Sequence, residues 1–256
     1  MPAPRKTREG ASHPDRNAPF EHINQHVRAF QRRGQPVIAV DATKQAWVGD
    51  VKNGGREWPP HGAPEPVRTH DFEAKRLGKV TPYGVYDPTD HAGWVSGGSD
   101  HETASCATET LRRWWQEMGR QMYPEAEALL VTADAGGSNS RRSRRWKVAV
   151  QELADRIHLR ISVCHLPPGT STWNKIEHRM LCHITHNWRG RPLISRSVIV
   201  NLLGNTKTKT GLHIKAALDR HFYDIGLKVT DEQLAAIRIK RDTFHGEWNY
   251  TISPRP

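Results

Sequence analysis

Three carboxylates stand where a sequence can place chemistry. Asp41 closes the apolar run Pro36-Val37-Ile38-Ala39-Val40, and Asp134 closes Leu129-Leu130-Val131-Thr132-Ala133. Each run has the length and branching of a buried strand. Glu177 follows 43 positions after Asp134, inside a segment that reads as a helix from about Thr172 to Trp188. Three hard oxygen ligands suit Mg²⁺ or Mn²⁺ rather than zinc. Two such ions held by shared carboxylates activate a nucleophile, stabilise a leaving oxygen and drive in-line displacement at a phosphodiester. Taken singly, each residue has a plainer role. A strand-end Asp serves in turns and caps, and a Glu pairs with a neighbouring Arg.

The elements around them decide between these roles. With Ile176 at zero and roughly 100° per residue, Met180, Trp173, Ile184, Trp188 and Leu181 fall within an arc of about 140°. Glu177 falls at about 100°, inside that apolar arc, whereas Lys175, His178, Arg179, Cys182 and His186 lie opposite. A carboxylate turned to a core is costly unless it is paired, protonated or metal-bound. Ligands of sheets with parallel strands bind beyond the carboxyl ends of those strands. Asp41, Asp134 and Glu177 can therefore converge on one divalent-metal site.

The rest of the chain supplies the frame. Residues 1–34 read as an irregular arm with one helix around 20–32. Trp47 to Val51 reads as a short strand, closed by the turn Lys52-Asn53-Gly54-Gly55. Pro59, Pro60, Pro64 and Pro66 mark an insertion over about 52–82. Tyr83–Tyr86 and Gly93–Ser96 flank a turn and read as a hairpin. Ser99 and Glu102 have capping-box spacing ahead of a helix carrying Ala104, Ala107, Leu111, Trp114, Trp115 and Met118, with Gly119 placed to end it. A second helix carries Trp146, Ala149, Val150, Leu153, Ala154 and Ile157 inward, and Leu159–Cys164 reads as a strand. Strands alternating with helices after the hairpin predict an α/β fold, a mixed sheet with helices on both faces. Residues 35–190 would form this domain, and 191–256 a C-terminal extension packed on it.

Charge points to a polyanionic partner. The 256 residues carry a formal charge of +11. Residues 139–191 hold eleven Lys/Arg against three acids, so most of the excess sits there. Arg141, Arg142, Arg144, Arg145 and Lys147 are its densest part, and Lys175 and Arg179 add to it from the next helix. Cations on one element neutralise successive phosphates and hold a nucleic-acid backbone. Nothing approaches 18 consecutive apolar residues, and Met1-Pro2-Ala3-Pro4-Arg5-Lys6 opens no secretory signal. Three scattered cysteines make no disulfide framework. The expectation is a cytoplasmic protein with a polyanionic partner and no membrane partner.

Several segments resemble a known family. Asp41 at its strand end, Asp134 in LLVTADAGGSN and Glu177 in HLPPGTSTWNKIEHR resemble the DDE transposases of bacterial insertion sequences, the ISAzo-type group related to mariner-like elements. VGDVKNGGREW, PYGVYD, GWVSGGSDHETA, NWRGRPL and HGEWNYTI belong to the same resemblance, which covers roughly residues 10–252. It implies a ribonuclease-H-like fold and an acidic triad, mapped by position onto Asp41, Asp134 and Glu177. It also implies two Mg²⁺ or Mn²⁺ ions, and cleavage and strand transfer of DNA at transposon ends into a target. About 35 residues before the first strand are too few for the helix-turn-helix domain usual in such families. A truncated copy or a split reading frame is therefore expected, with a homodimer and a separate helix-turn-helix chain as further partners. Ala42-Thr43-Lys44-Gln45-Ala46 also departs from the Lys-rich version of the family.

Rival roles remain at three places. Asp100 competes with Asp134 as a ligand, although its place beside Ser99 and Glu102 favours capping. Cys164, His165, His178, Cys182, His183 and His186 offer zinc donors, yet without a Cys-x-x-Cys or His-Glu-x-x-His pattern. The tryptophans on apolar stripes, Trp173 among them, read as core. The rival functions are a ribonuclease-H-like nuclease or resolvase that only hydrolyses, and an inactive remnant that only binds DNA.

Overall fold

The computed structural model describes residues 17–43, 46–49, 79–98, 103–188, 191 and 193–256. Asp100, Ser99, Glu102, the 52–55 turn and most of the 52–82 insertion lie outside these residues.

Nine strands among the described residues form one sheet. They are β1 (Val37–Ala42), β2 (Ala46–Trp47), β3 (Lys79–Asp87), β4 (Ala92–Gly98), β5 (Ala128–Ala133), β6 (Arg160–His165), β7 (His213–Leu218), β8 (Ile239–Arg241) and β9 (Asn249–Ile252). Their order is β7-β4-β3-β1-β5-β6-β9-β8, with β2 branching from β3. β1, β3 and β4 are antiparallel neighbours, while β5 and β6 follow β1 in parallel. This is the mixed α/β sheet expected from the sequence. Residues 191–256 supply strands at both edges: β7 pairs β4, and β8–β9 pair β6. The segment is thus woven into the sheet.

Alternation along the strands sends side chains to two cores. Ile38 and Val40 of β1 join Leu129, Val131 and Ala133 of β5 under α2 (Ala104–Trp114) and α3 (Arg144–Ile157). Ala39, on the other face, packs with Ile176, with Met180, Leu181, Ile184 and Trp188 of α4 (Glu177–Trp188), and with α5 (Arg196–Gly204). α4 opens with a π turn, Glu177–Leu181, and continues as Cys182–Trp188. Val37 and Leu130 meet α1 (Ala18–Arg32) through Ile23, Val27 and Phe30. The last helix, α6, is the short Asp231–Ala235. Two glycines let α4 reach the sheet. A Cβ on Gly84 would lie 2.7 Å from Met180 Cε, and one on Gly93 would overlap Met180 Sδ.

Three local expectations need correcting. α2 is capped by Thr103, whose hydroxyl accepts from the Cys106 N–H (3.1 Å), so the helix begins four residues later than a cap at Ser99 would place it. Gly119 does not end that helix. The chain continues through a π turn, Trp115–Gly119, into Arg120–Met122, and the bare Cα makes room for the Trp114 and Trp115 rings. The helix expected from Thr172 starts later: Ser171–Trp173 is a 3₁₀ turn, and buried Asn174 breaks it from α4. No helix among the described residues is long and apolar enough to cross a membrane.

Candidate active site

Sheet register brings the two aspartates together. Val40 pairs with Ala133 in the parallel β1–β5 ladder, so Asp41 and Asp134 are the next residues on adjacent strands. Asp41 shares the parity of Val37 and Ala39, and Asp134 that of Leu130 and Thr132. Both therefore point to the face on which α1 and α4 lie.

Asn174 ties this edge to α4. Its Nδ2 donates to the Val40 carbonyl (3.1 Å) and to Asp134 Oδ1 (3.1 Å). Its own carbonyl accepts the Glu177 N–H (3.1 Å), which starts the helix. One buried amide thus holds the end of β1, the Asp134 carboxylate and the first turn carrying Glu177. Burial raises the pKa of Asp134, the Asn174 bond lowers it and the nearby Glu177 charge raises it; the net shift is upward. Asp41 Oδ1 accepts from the Ala42 N–H (2.8 Å). Glu177 is half-buried, at the open rim of the core. It leads a π turn, a distortion frequent at functional sites because it re-aims side chains.

Behind Asp134 lies a second network. His165 is fully buried, and its Nδ1–H donates to the Asp134 carbonyl (3.0 Å). Its Nε2 accepts from the Tyr250 hydroxyl (3.1 Å), which in turn accepts from Trp146 Nε1–H (2.9 Å). Burial pushes His165 down to about 4, so the ring is neutral and keeps this tautomer.

The basic residues divide. Arg141 and Arg142 line an open cleft of about 440 Å³ together with Asp134, Pro167, Pro168 and Ser171. The Arg141 guanidinium also lies 5.1 Å from the Trp248 ring. Lys147 turns inward and donates to the Arg141 carbonyl (2.7 Å). Arg145 reaches Ser105 Oγ (3.1 Å) and Glu152 (3.4 Å), and Arg144 pairs with Asp231 (2.6 Å). Lys175 lines a larger groove, about 840 Å³, between α1 and the Trp173 turn. Arg179 is exposed on α4, with its charge acting on Tyr86.

Trp173 departs from its expected core position. It is 64% exposed, with its ring 5.9 Å from Phe20. The break at Asn174 turns it out of the α4 stripe. The rival zinc set does not assemble among the described residues either. His178 Nε2–H bonds the Thr172 carbonyl, and exposed Cys182 donates to the His178 carbonyl (3.0 Å). Asn174 and Tyr250 join these hydrogen-bond networks at positions that residue type and spacing do not single out, although both stand inside the family-like segments. A polar residue three positions before Glu177, at the strand-to-helix junction, is the available signal for Asn174.

The sequence matches the family model described as the Rhodopirellula transposase DDE domain over residues 1–254. The chain belongs to the transposase DDE domain family. Among solved structures, the domain is similar to a pre-cleavage Mos1 transpososome (12% identity, TM-score 0.48), covering 79% of this chain and 58% of that one. It is similar also to a Mos1 transposase paired-end complex with the left transposon end (12%, TM-score 0.47, 79% and 57%). A third is a Mos1 mariner paired-end complex with Mn (12%, TM-score 0.42, 79% and 63%). The DDE domain spans a little over half the length of these chains. No curated protein matches the sequence.

Proposed function

We propose that this DDE domain cleaves DNA strands at transposon ends and transfers them to a target, with Asp41, Asp134 and Glu177 holding two Mg²⁺ or Mn²⁺ ions. The observation that carries this reading is the Asn174 amide, bonded to Val40 and Asp134 and seating Glu177 at the same strand ends. The donor set fits the ions. It offers hard carboxylate oxygens, one aspartate is pushed toward its neutral form by burial and by Glu177, and the buried Asn174 Oδ1 has no hydrogen-bond partner. Bound there, such ions activate an attacking oxygen and stabilise a leaving oxygen at a phosphodiester.

The chain's own residues do the positioning. Asn174 fixes the Asp134 carboxylate, and His165 fixes its backbone from behind. Arg141 and Arg142 face a phosphate backbone entering the cleft beside Asp134. Trp173, exposed at the mouth of the site, offers a face for an unpaired base.

Incubation with supercoiled DNA and Mn²⁺ tests the cleavage, and oligonucleotides carrying the element's cleaved ends test the transfer. Nicking and joining that both disappear in Asp134→Asn are expected. Hydrolysis with no joined product would favour the nuclease. DNA binding with neither reaction would favour the inactive remnant.

A further inference from the structure

On the α1 side of β6, two histidines, a buried cysteine and one aspartate cluster together. His22 and His26 stand four residues apart and so on one face of α1. Cys164 of β6, 2% exposed, points at them with the opposite parity to His165. One ligand atom from each of His22, His26 and Cys164 lies within 4.8 Å of the other two. Asp242, just after β8, brings its Oδ2 to 3.9 Å from His22 Nε2 and 3.8 Å from His26 Nε2. Its Oδ1 accepts from the Phe244 N–H (2.8 Å). His22 Nε2 is buried with no hydrogen-bond partner. His26 Nδ1–H donates to the His22 carbonyl (3.0 Å), the backbone anchor that orients an imidazole to bind through Nε2.

We propose that His22, His26, Cys164 and Asp242 form a tetrahedral site for Zn²⁺. Two imidazoles and a thiolate select a borderline-soft ion and disfavour Mg²⁺ and Ca²⁺. With Zn–N near 2.0–2.1 Å and Zn–S near 2.3 Å, tetrahedral ligand atoms sit roughly 3.3–3.6 Å apart. Closing on the ion therefore needs side-chain shifts on the order of 1 Å and no backbone rearrangement. On binding, Cys164 gives up its thiol proton and both imidazoles stay neutral. Without an ion, burial and the Asp242 charge push the thiol up to about 12, and burial and His26 push His22 down.

The ligands come from the N-terminal helix, the middle of the sheet and the β8–β9 connection. An ion here pins α1 and the C-terminal segment to β6. The residue after Cys164 is His165, which holds the Asp134 backbone, so the same ion steadies the floor of the candidate active site. The site itself stands whether or not the catalytic reading holds.

Cobalt(II) is the probe, added to the full chain after removal of metal by a chelator. In excess Mg²⁺, which occupies the carboxylate site, one equivalent should bind with a thiolate-to-cobalt charge-transfer band and be displaced by Zn²⁺. Cys164→Ser should lose the band. His26→Gln, at a half-exposed helix position that leaves the core intact, should weaken cobalt and zinc binding by at least about tenfold. Absence of binding, binding without the band, or an unchanged affinity in His26→Gln would overturn the proposal.

Discussion

Two groups of carboxylates in this domain have opposite surroundings. At the end of α2, Glu109 accepts from Arg112 Nε (2.6 Å) and Arg113 Nε (3.0 Å). Asp219, with a fully buried side chain, accepts from Arg113 Nη2 (2.8 Å), His221 (2.8 Å) and Tyr223. Burial pushes both acids up, but these donors outweigh it and hold both below the ordinary carboxylate range. Asp134 goes the other way: burial raises it, the Asn174 amide offsets only part of that, and the Glu177 charge adds to the rise. Carboxylates surrounded by cations are architecture. Carboxylates crowded by one another at strand ends are poised for a cation that arrives from solution.

The largest expected contrast is in activity. Asp134→Asn should reduce Mn²⁺-dependent nicking by orders of magnitude, while Asp219→Asn should leave the rate per folded molecule within a few-fold. Equal losses in a plasmid-nicking assay would erase the distinction.

Stability should show the reverse. Arg113→Met strands the buried Asp219 and should cost about 3 kcal/mol in urea unfolding. The pH dependence sharpens this. The depressed pKa values of Glu109 and Asp219 give stability that is present above their unfolded pKa near 4 and lost as pH falls through the folded values. Asp134 is raised, so its ionised form costs stability above its folded pKa, and the cost is relieved as pH falls through it. Metal-free Asp134→Asn should thus exceed the parent in stability at neutral pH, and Asp219→Asn should fall below it. Both gaps should close in acid, which unfolding curves across pH would detect.

The basic residues should give the smallest effects. Replacing Arg141 and Arg142 with Ala should lower the salt slope of DNA binding by about 2, at roughly 0.9 for each phosphate no longer neutralised. Arg144→Ala breaks only the exposed pair with Asp231 and should cost less than about 0.5 kcal/mol. An unchanged slope in the double variant, measured by titration over salt, would place the binding surface elsewhere.

Much of the fold is legible in the sequence because strand ends and apolar stripes are local signals. The runs ending at Asp41 and Asp134 are β1 and β5, and the stripe from Ile176 to Trp188 is the buried face of α4. The hairpin and both helices of the other face stand where the periodicity predicts them. The β1–β5 register is not local, and it is what makes Asp41 and Asp134 neighbours. Helical projection assumes a regular helix from Thr172. The break at Asn174 and the π turn after it put Trp173 outside and Glu177 at the rim. Residues 191–256 have short strands without clear alternation, so their places at both sheet edges depend on partners distant in sequence. The His22, His26, Cys164 and Asp242 cluster is hidden for the same reason, since only the His pair has readable spacing.

The central claim is that Asp41, Asp134 and Glu177 share one divalent-metal site. Thermal unfolding of the parent and Glu177→Gln, each with and without Mg²⁺, tests it most directly, because Mg²⁺ takes oxygen ligands and avoids the histidine–cysteine cluster. Without metal, Glu177→Gln should be as stable as the parent or more so, since one crowded carboxylate has lost its charge. Mg²⁺ should raise the melting temperature of the parent and raise that of the variant less. A variant destabilised by several kcal/mol, with its Mg²⁺ response unchanged, would contradict the account and make Glu177 a structural ion-pair partner.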